Sequence, residues 1–137
     1  MSTRSKARKA ALDLLYEADI RKTSASSLML TRITDVEYII RDFTKELIDG
    51  VEGNRRKIDE LITTYSQGWD MDRMPVIDRN ILRLGIYEVL WSKEVPEAVA
   101  ISEALELGQT LSTDESSKYI NGVLSKILEI KPDLVLE

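Results

Sequence analysis

Cysteine and histidine are both absent from this chain of 137 residues. Their absence excludes disulfides, zinc sites of the usual kind, thiol nucleophiles and any mechanism that needs an imidazole base. No uninterrupted apolar run is long enough to span a membrane. The first ten residues carry no apolar stretch of the kind that precedes a signal cleavage site, so a soluble, cytoplasmic protein is expected. The six glycines are scattered, and none belongs to a loop that could cradle phosphate. Strand-like alternation, internal repeats and low-complexity tracts are missing too. What is present is a composition 43% hydrophobic and 31% charged, enough for a real core in a single domain over residues 1–137.

Charge is distributed unevenly. The whole chain carries 19 basic and 24 acidic residues, a net charge of −5. Arg4, Lys6, Arg8 and Lys9 give the first nine residues +4, leaving −9 on the remaining 128. A basic end on an acidic body is a polarised field that orients an approaching polyanion. A solubilising, frayed terminus is the plainer explanation of the same charges.

Apolar spacing predicts helix almost throughout. Ala7, Ala11, Leu14, Leu15 and Ala18 recur at steps of three and four, giving one helix from about Thr3 to Ile20. Ser24 to Thr34 is rich in Ser and Thr and reads as a loop, with one turn at Leu28–Leu30. Thr34 to Glu37 has the spacing of a capping box. It introduces a helical period through Val36, Ile39, Ile40, Phe43, Leu47, Ile48 and Val51. Gly50 and Gly53 weaken that helix, and Asn54 caps another carrying Ile58, Leu61, Ile62 and Tyr65. Gly68 to Met74 is a connector. Pro75 suits the start of a helix over Val76–Trp91, which is apolar on most of its circumference and should therefore be central. Pro96 opens the next helix, and a second capping box at Ser112–Glu115 opens the last, which stops near Pro132. Six or seven helices with short connections make an all-α bundle of two small sub-bundles around a central helix.

Catalysis has little support. Glu103, Glu106, Asp70 and Asp72 are carboxylates that a solvated surface explains, and no cofactor or metal is expected. Nucleic-acid binding has more. Arg4 and Arg8 lie four apart on one helix face, and Lys6 and Lys9 widen the patch. Basic residues at a helix start oppose the helix dipole by up to ~1 kcal/mol, which argues for a use. Tyr16, two turns beyond Arg8, could stack on an unpaired base, although from spacing alone partial burial between helices explains it better. Ser116, Ser117, Lys118 and Tyr119 open the last helix, where free amides can receive phosphate and where ordinary capping is the alternative.

Two long blocks carry a resemblance. Asp78-Arg-Asn-Ile-Leu-Arg-Leu-Gly-Ile-Tyr-Glu-Val-Leu is close to the form D/E-R-x-I-L-R-x-A-x-Y-E-L. Val99-Ala-Ile-Ser-Glu-Ala-Leu-Glu-Leu-Gly, followed by Ser116-Ser-Lys-Tyr-Ile-Asn-Gly-Val-Leu, is similar to V-A-I-N-E-A-x-E-L-A and S-x-K-F-V-N-G-V-L. With the basic opening that ends in Leu15-Tyr16, the chain resembles the NusB transcription antitermination family nearly end to end. Departures are Ser5 for a frequent Arg, Ser102 for Asn, Tyr119 for Phe, and Gly85 and Gly108 where Ala is common.

The resemblance implies a non-enzymatic, RNA-binding helical protein. Members recognise the boxA element of nascent, chiefly ribosomal, transcripts together with NusE, a small-subunit ribosomal protein, and help RNA polymerase read through terminators. Some members self-associate, so a homodimer is possible. Carried over by position, the RNA-facing residues are Arg4, Lys6, Arg8, Tyr16, Glu115, Lys118 and Tyr119, with Lys9 added from the charge argument. The NusE-facing surface involves the central helix at Asp78, Arg79, Arg83 and Glu88. Recognition of single-stranded RNA would require the first and last helices to be neighbours. Two rivals are a helical adaptor that binds only protein, and a stand-alone relative of the RNA-binding part of ribosomal RNA cytosine methyltransferases. Those enzymes carry a large cofactor-binding domain with no counterpart in these 137 residues.

Overall fold

The structure, a computed structural model, describes residues 2–34 and 39–136. Within them the chain forms seven α-helices and no strand. These are α1 (Thr3–Arg21), α2 (Ala25–Ile33), α3 (Asp42–Gly53), α4 (Arg55–Tyr65), α5 (Val76–Trp91), α6 (Glu97–Leu111) and α7 (Asp114–Ile130). Short 3-10 turns at Met71–Arg73 and Lys131–Asp133 complete the order. Among the described residues no helix is long and apolar enough to cross a membrane.

The central helix is the one its composition predicts. Every residue of α5 from Asn80 to Leu90 is buried, so the helix has no solvent face over three turns. Helices α1, α3 and α4 pack on it from one side and α6 and α7 from the other, while α2 closes against α1 and α3. One connected apolar cluster, including Leu12, Leu47, Ile62, Leu84, Ile86 and Leu124, runs through both groups. Gly85 belongs to this packing, because a Cβ there would lie 2.9 Å from Leu124 Cδ1 and 3.4 Å from Ala104 Cβ. The glycine thus trades helix propensity for a close approach of α5 to α6 and α7.

Several local expectations are corrected. The Ser/Thr-rich stretch after α1 is not a loop: Ser24 caps α2 by accepting a hydrogen bond from the Ser27 amide at 3.1 Å. Ala25, Leu28 and Met29 then bury one face of that helix, and Glu52 accepts from the Ala25 amide at 2.6 Å. A nine-residue helix survives here on that cap and that buried face, with Thr31 Oγ1 bonding back to the Ser27 carbonyl at 3.2 Å. Helix α3 begins at Asp42, later than the apolar period suggests, and Ile39 is 85% exposed and non-helical. The expected capping box over residues 34–37, and Val36 with it, lie largely outside the described residues. Asn54 makes no side-chain cap for α4. Its Nδ2 instead donates to the Gly50 carbonyl at 2.8 Å and closes the end of α3. At the start of α7 the cap is Thr113, one residue later than expected, whose Oγ1 accepts from the Ser116 amide at 3.0 Å.

Candidate nucleic-acid interface

The basic tip is built on the first two turns of α1, capped by Ser2, whose Oγ accepts from the Ser5 amide at 3.0 Å. Its four cations have different fates. Lys6 is exposed. Lys9 reaches both Asp13 carboxylate oxygens at 2.8 Å, an i,i+4 pair in partial contact with solvent. Arg4 is half exposed, lies 5.4 Å from the Phe43 ring centroid and meets the exposed Glu94 at 3.3 Å. Such exposed pairs are worth little and exchange readily for a phosphate.

Arg8 is a correction to the predicted RNA-facing set. Its side chain is 3% exposed. Glu88 on α5 grips it with two parallel bonds, Nε to Oε1 at 2.6 Å and Nη2 to Oε2 at 2.9 Å. Nη1 adds a longer bond to Glu103 on α6 at 3.3 Å, and the guanidinium lies 5.2 Å from the Phe43 centroid. Ser5 Oγ donates to the same Glu103 oxygen at 2.5 Å. A planar fork buried against two carboxylates and a ring face is out of reach of phosphate. Burial pushes the Glu88 carboxyl above the usual carboxylate range, against the opposing pull of Arg8.

Three of the four residues expected to face a protein partner are buried as well. Asp78, Arg83 and Glu88 are buried at 0%, 5% and 2% exposure, so none presents a surface. Arg79 is partly buried and is held by Asp19 of α1, with Nη2 to Oδ1 at 2.7 Å and Nε to Oδ2 at 2.8 Å. Asp19 also accepts from Asn80 Nδ2 at 2.9 Å and from Arg83 Nη1 at 2.8 Å, and Arg83 reaches on to Asp59 of α4 at 2.9 Å. Burial works against the Asp19 carboxylate. The bonds from Arg79 and Asn80 and the charges of Arg83 and Arg79 outweigh it and hold the group well below the usual carboxylate range.

One turn of α5 therefore joins two distant helices. Arg79 and Asn80 bond Asp19 on α1, while Asp78 Oδ2 accepts from Ser116 Oγ on α7 at 2.7 Å. Helices α1 and α7 both pack on α5 rather than extensively on each other, so the expected neighbours are linked through a third element. Tyr16 lies three residues before Asp19 on the same side of α1 and is 40% exposed. Glu115 and Lys118 flank Ser116 on the outer side of α7, and both are exposed. Tyr119 is partly buried. Burial raises its phenol pKa, with a smaller opposing effect of Ser66.

Trp69 is the residue that sequence reasoning missed. Its ring meets Tyr119 edge-on, with centroids 4.3 Å apart and planes at 87°. The two aromatics, with Gln67, Gly68, Thr113, Glu115 and Ser116, line a cleft of about 360 Å³ between the connector and the start of α7. The connector is a tight turn. The Trp69 amide donates to the Ser66 carbonyl at 3.1 Å, and Ser66 Oγ donates to the Trp69 carbonyl at 3.0 Å. Gly68 makes the turn possible with φ +76°, a conformation that side-chain-bearing residues rarely adopt. A tryptophan beside a glycine in a polar connector was the available signal.

Comparison with known proteins adds to this geometry. The NusB family matches residues 5–129. Transcription antitermination protein NusB of Thermobifida fusca is 48% identical over 134 residues, covering 98% of this chain and 94% of that protein. Among solved structures, T. maritima NusB superposes with a TM-score of 0.81 at 32% identity, covering 97% of this chain and 99% of that one. A chain from a structure of antitermination factors NusB and NusE in complex with dsRNA gives 0.79 at 26% identity, over 92% of this chain and 96% of that one. By sequence over nearly its whole length and by fold, this chain belongs to the NusB family.

Proposed function

We propose that this protein is an RNA-binding transcription antitermination factor of the cytoplasm. It binds the boxA element of nascent ribosomal transcripts with NusE, and the complex on RNA polymerase favours read-through. The family is one of antitermination factors rather than enzymes. The RNA face in this reading comprises Arg4, Lys6 and Lys9 at the tip of α1, Tyr16 further along it, and Glu115, Lys118 and Tyr119 on α7. The chain acts as one domain, since a single apolar cluster runs through all seven helices.

The observation that supports this most is the double attachment of α5, to Asp19 on α1 and to Ser116 on α7. It holds the stretch of α1 that carries Tyr16 and the start of α7 that carries Glu115, Lys118 and Tyr119 at the N-terminal end of the central helix, while the basic tip of α1 lies toward its other end, where Arg8 meets Glu88. Cations supply affinity for any phosphate backbone, and the tyrosines supply stacking on unpaired bases. Asp78, Arg83 and Glu88 contribute by fixing this frame, so NusE must meet exposed faces of the helices packed around α5. The test is gel retardation of a boxA-like single strand and of a duplex of equal length, each with and without NusE. Retardation of the single strand, strengthened by NusE, is expected. A protein that retards neither RNA under any of these conditions overturns the reading.

A further inference from the structure

We propose that the cleft between the Ser66–Asp70 connector and the start of α7 holds one unpaired nucleobase of the bound RNA, with Trp69 as its stacking platform. The inference rests on the RNA-binding function just proposed and adds to it a residue, Trp69, and an occupant for the cleft it forms beside Glu115 and Tyr119. Three features of the cleft support it.

The first is size and shape. About 360 Å³ lies at the small end of ligand clefts, suited to a single base rather than a folded peptide or a run of nucleotides. The second is rigidity. The Trp69 ring is braced edge-to-face by Tyr119, and its backbone is fixed at both ends of a turn by Ser66. A braced indole loses little freedom when a base stacks on it. The third is the chemistry of the rim. Gln67 and Glu115 are exposed at the mouth, where an amide and a carboxylate can meet the hydrogen-bonding edge of a base. Lys118, one residue before Tyr119, stands beside the cleft to take the phosphate that follows the base. A phosphate group alone would be a poor occupant, because among the described residues the only charge lining the cleft is the carboxylate of Glu115.

The two tryptophans make the test direct. Trp91 stacks near Tyr87 at the far end of α5, a helix of 16 residues and so about 24 Å long. A Trp91→Phe variant leaves Trp69 as the sole indole. Its emission is expected to be quenched by a boxA-like single strand and to be unaffected by inorganic polyphosphate, which carries charge without bases. In parallel, Trp69→Ala is expected to weaken binding of the single strand about 5- to 150-fold. The dependence of affinity on salt should stay as in wild type, whereas Lys118→Ala should flatten it. Wild-type affinity in Trp69→Ala overturns the cleft assignment and leaves the RNA-binding function standing. Should that variant fail to fold, unchanged Trp69 emission while RNA is retarded does the same. Absence of any RNA binding by the wild type overturns both.

Discussion

A guanidinium that gives Nε and Nη2 to one carboxylate, Nη1 to a second and its flat face to a phenyl ring, and that is buried among them, is closed to a ligand from solvent. Arg8 is therefore expected to matter for stability and not for RNA contact. Replacing it by Met leaves Glu88 buried without its partner, and such losses cost about 3–5 kcal/mol. Urea denaturation should show that loss, and pairing Arg8→Met with Glu88→Leu should recover much of it. Asp19 leads to a prediction about pH. Its carboxyl is held well below its ordinary value in the folded state, so as pH falls through about 4 the unfolded chain takes up the proton first. Stability from this group is thus present above that pH and lost below it. Urea midpoints between pH 6 and pH 2 should fall more steeply for wild type than for Asp19→Asn. Neither role can be read in the sequence. Arg8 and Glu88 are 80 residues apart, and a charged residue on a helix carries no mark of whether its partner is water or another side chain.

Elements are more legible than residues. Apolar residues at steps of three and four predict α1, α5, α6 and α7 with small errors at their ends, because those helices bury several turns against others. Helix α2 is hidden because nine residues rich in Ser and Thr give a weak period, while its cap and its bond to Glu52 are tertiary facts. Helix α3 starts later than its pattern predicts because Ile39 continues an apolar period that the fold does not use. The candidate site follows the same pattern. Lys118 and Tyr119 are marked by their motif, but the turn that presents Trp69 depends on Gly68 at positive φ, which no periodicity records. The central helix supports a prediction at this scale. Leu84 is 2% exposed between both groups of helices, and Leu84→Ala should cost about 2–5 kcal/mol by opening a cavity. Thermal unfolding followed by circular dichroism will measure it, and the helical signal of the folded variant should be unchanged.

At the scale of the whole molecule, the accessible positive charge is smaller than a count along the chain implies. Arg8, Arg79 and Arg83 are committed to Glu88, Asp19 and Asp59, so attraction of RNA falls to exposed cations such as Lys6, Lys9 and Lys118. Changing these three lysines to Ala should weaken binding of all RNA sequences alike. For every phosphate that thereby goes without a cation, the slope of log affinity against log salt should shrink by roughly 0.7 for a single strand. Filter binding across a salt series would measure both effects.

The bridge from Arg8 to Glu88 also has a consequence for the time of synthesis. Helix α1 leaves the ribosome long before its carboxylate partners exist. With 80 residues between Arg8 and Glu88, elongation at roughly 5–20 residues per second leaves a delay of about 4–16 s. Throughout that interval the nascent chain displays a basic amphipathic segment whose most deeply buried cation is still unmatched. It is then at its most adhesive, among ribosomal RNA and other polyanions. Arrival of Glu88 and then Glu103 withdraws Arg8 from that company, so completing the polypeptide removes one cation from those the nascent chain displays.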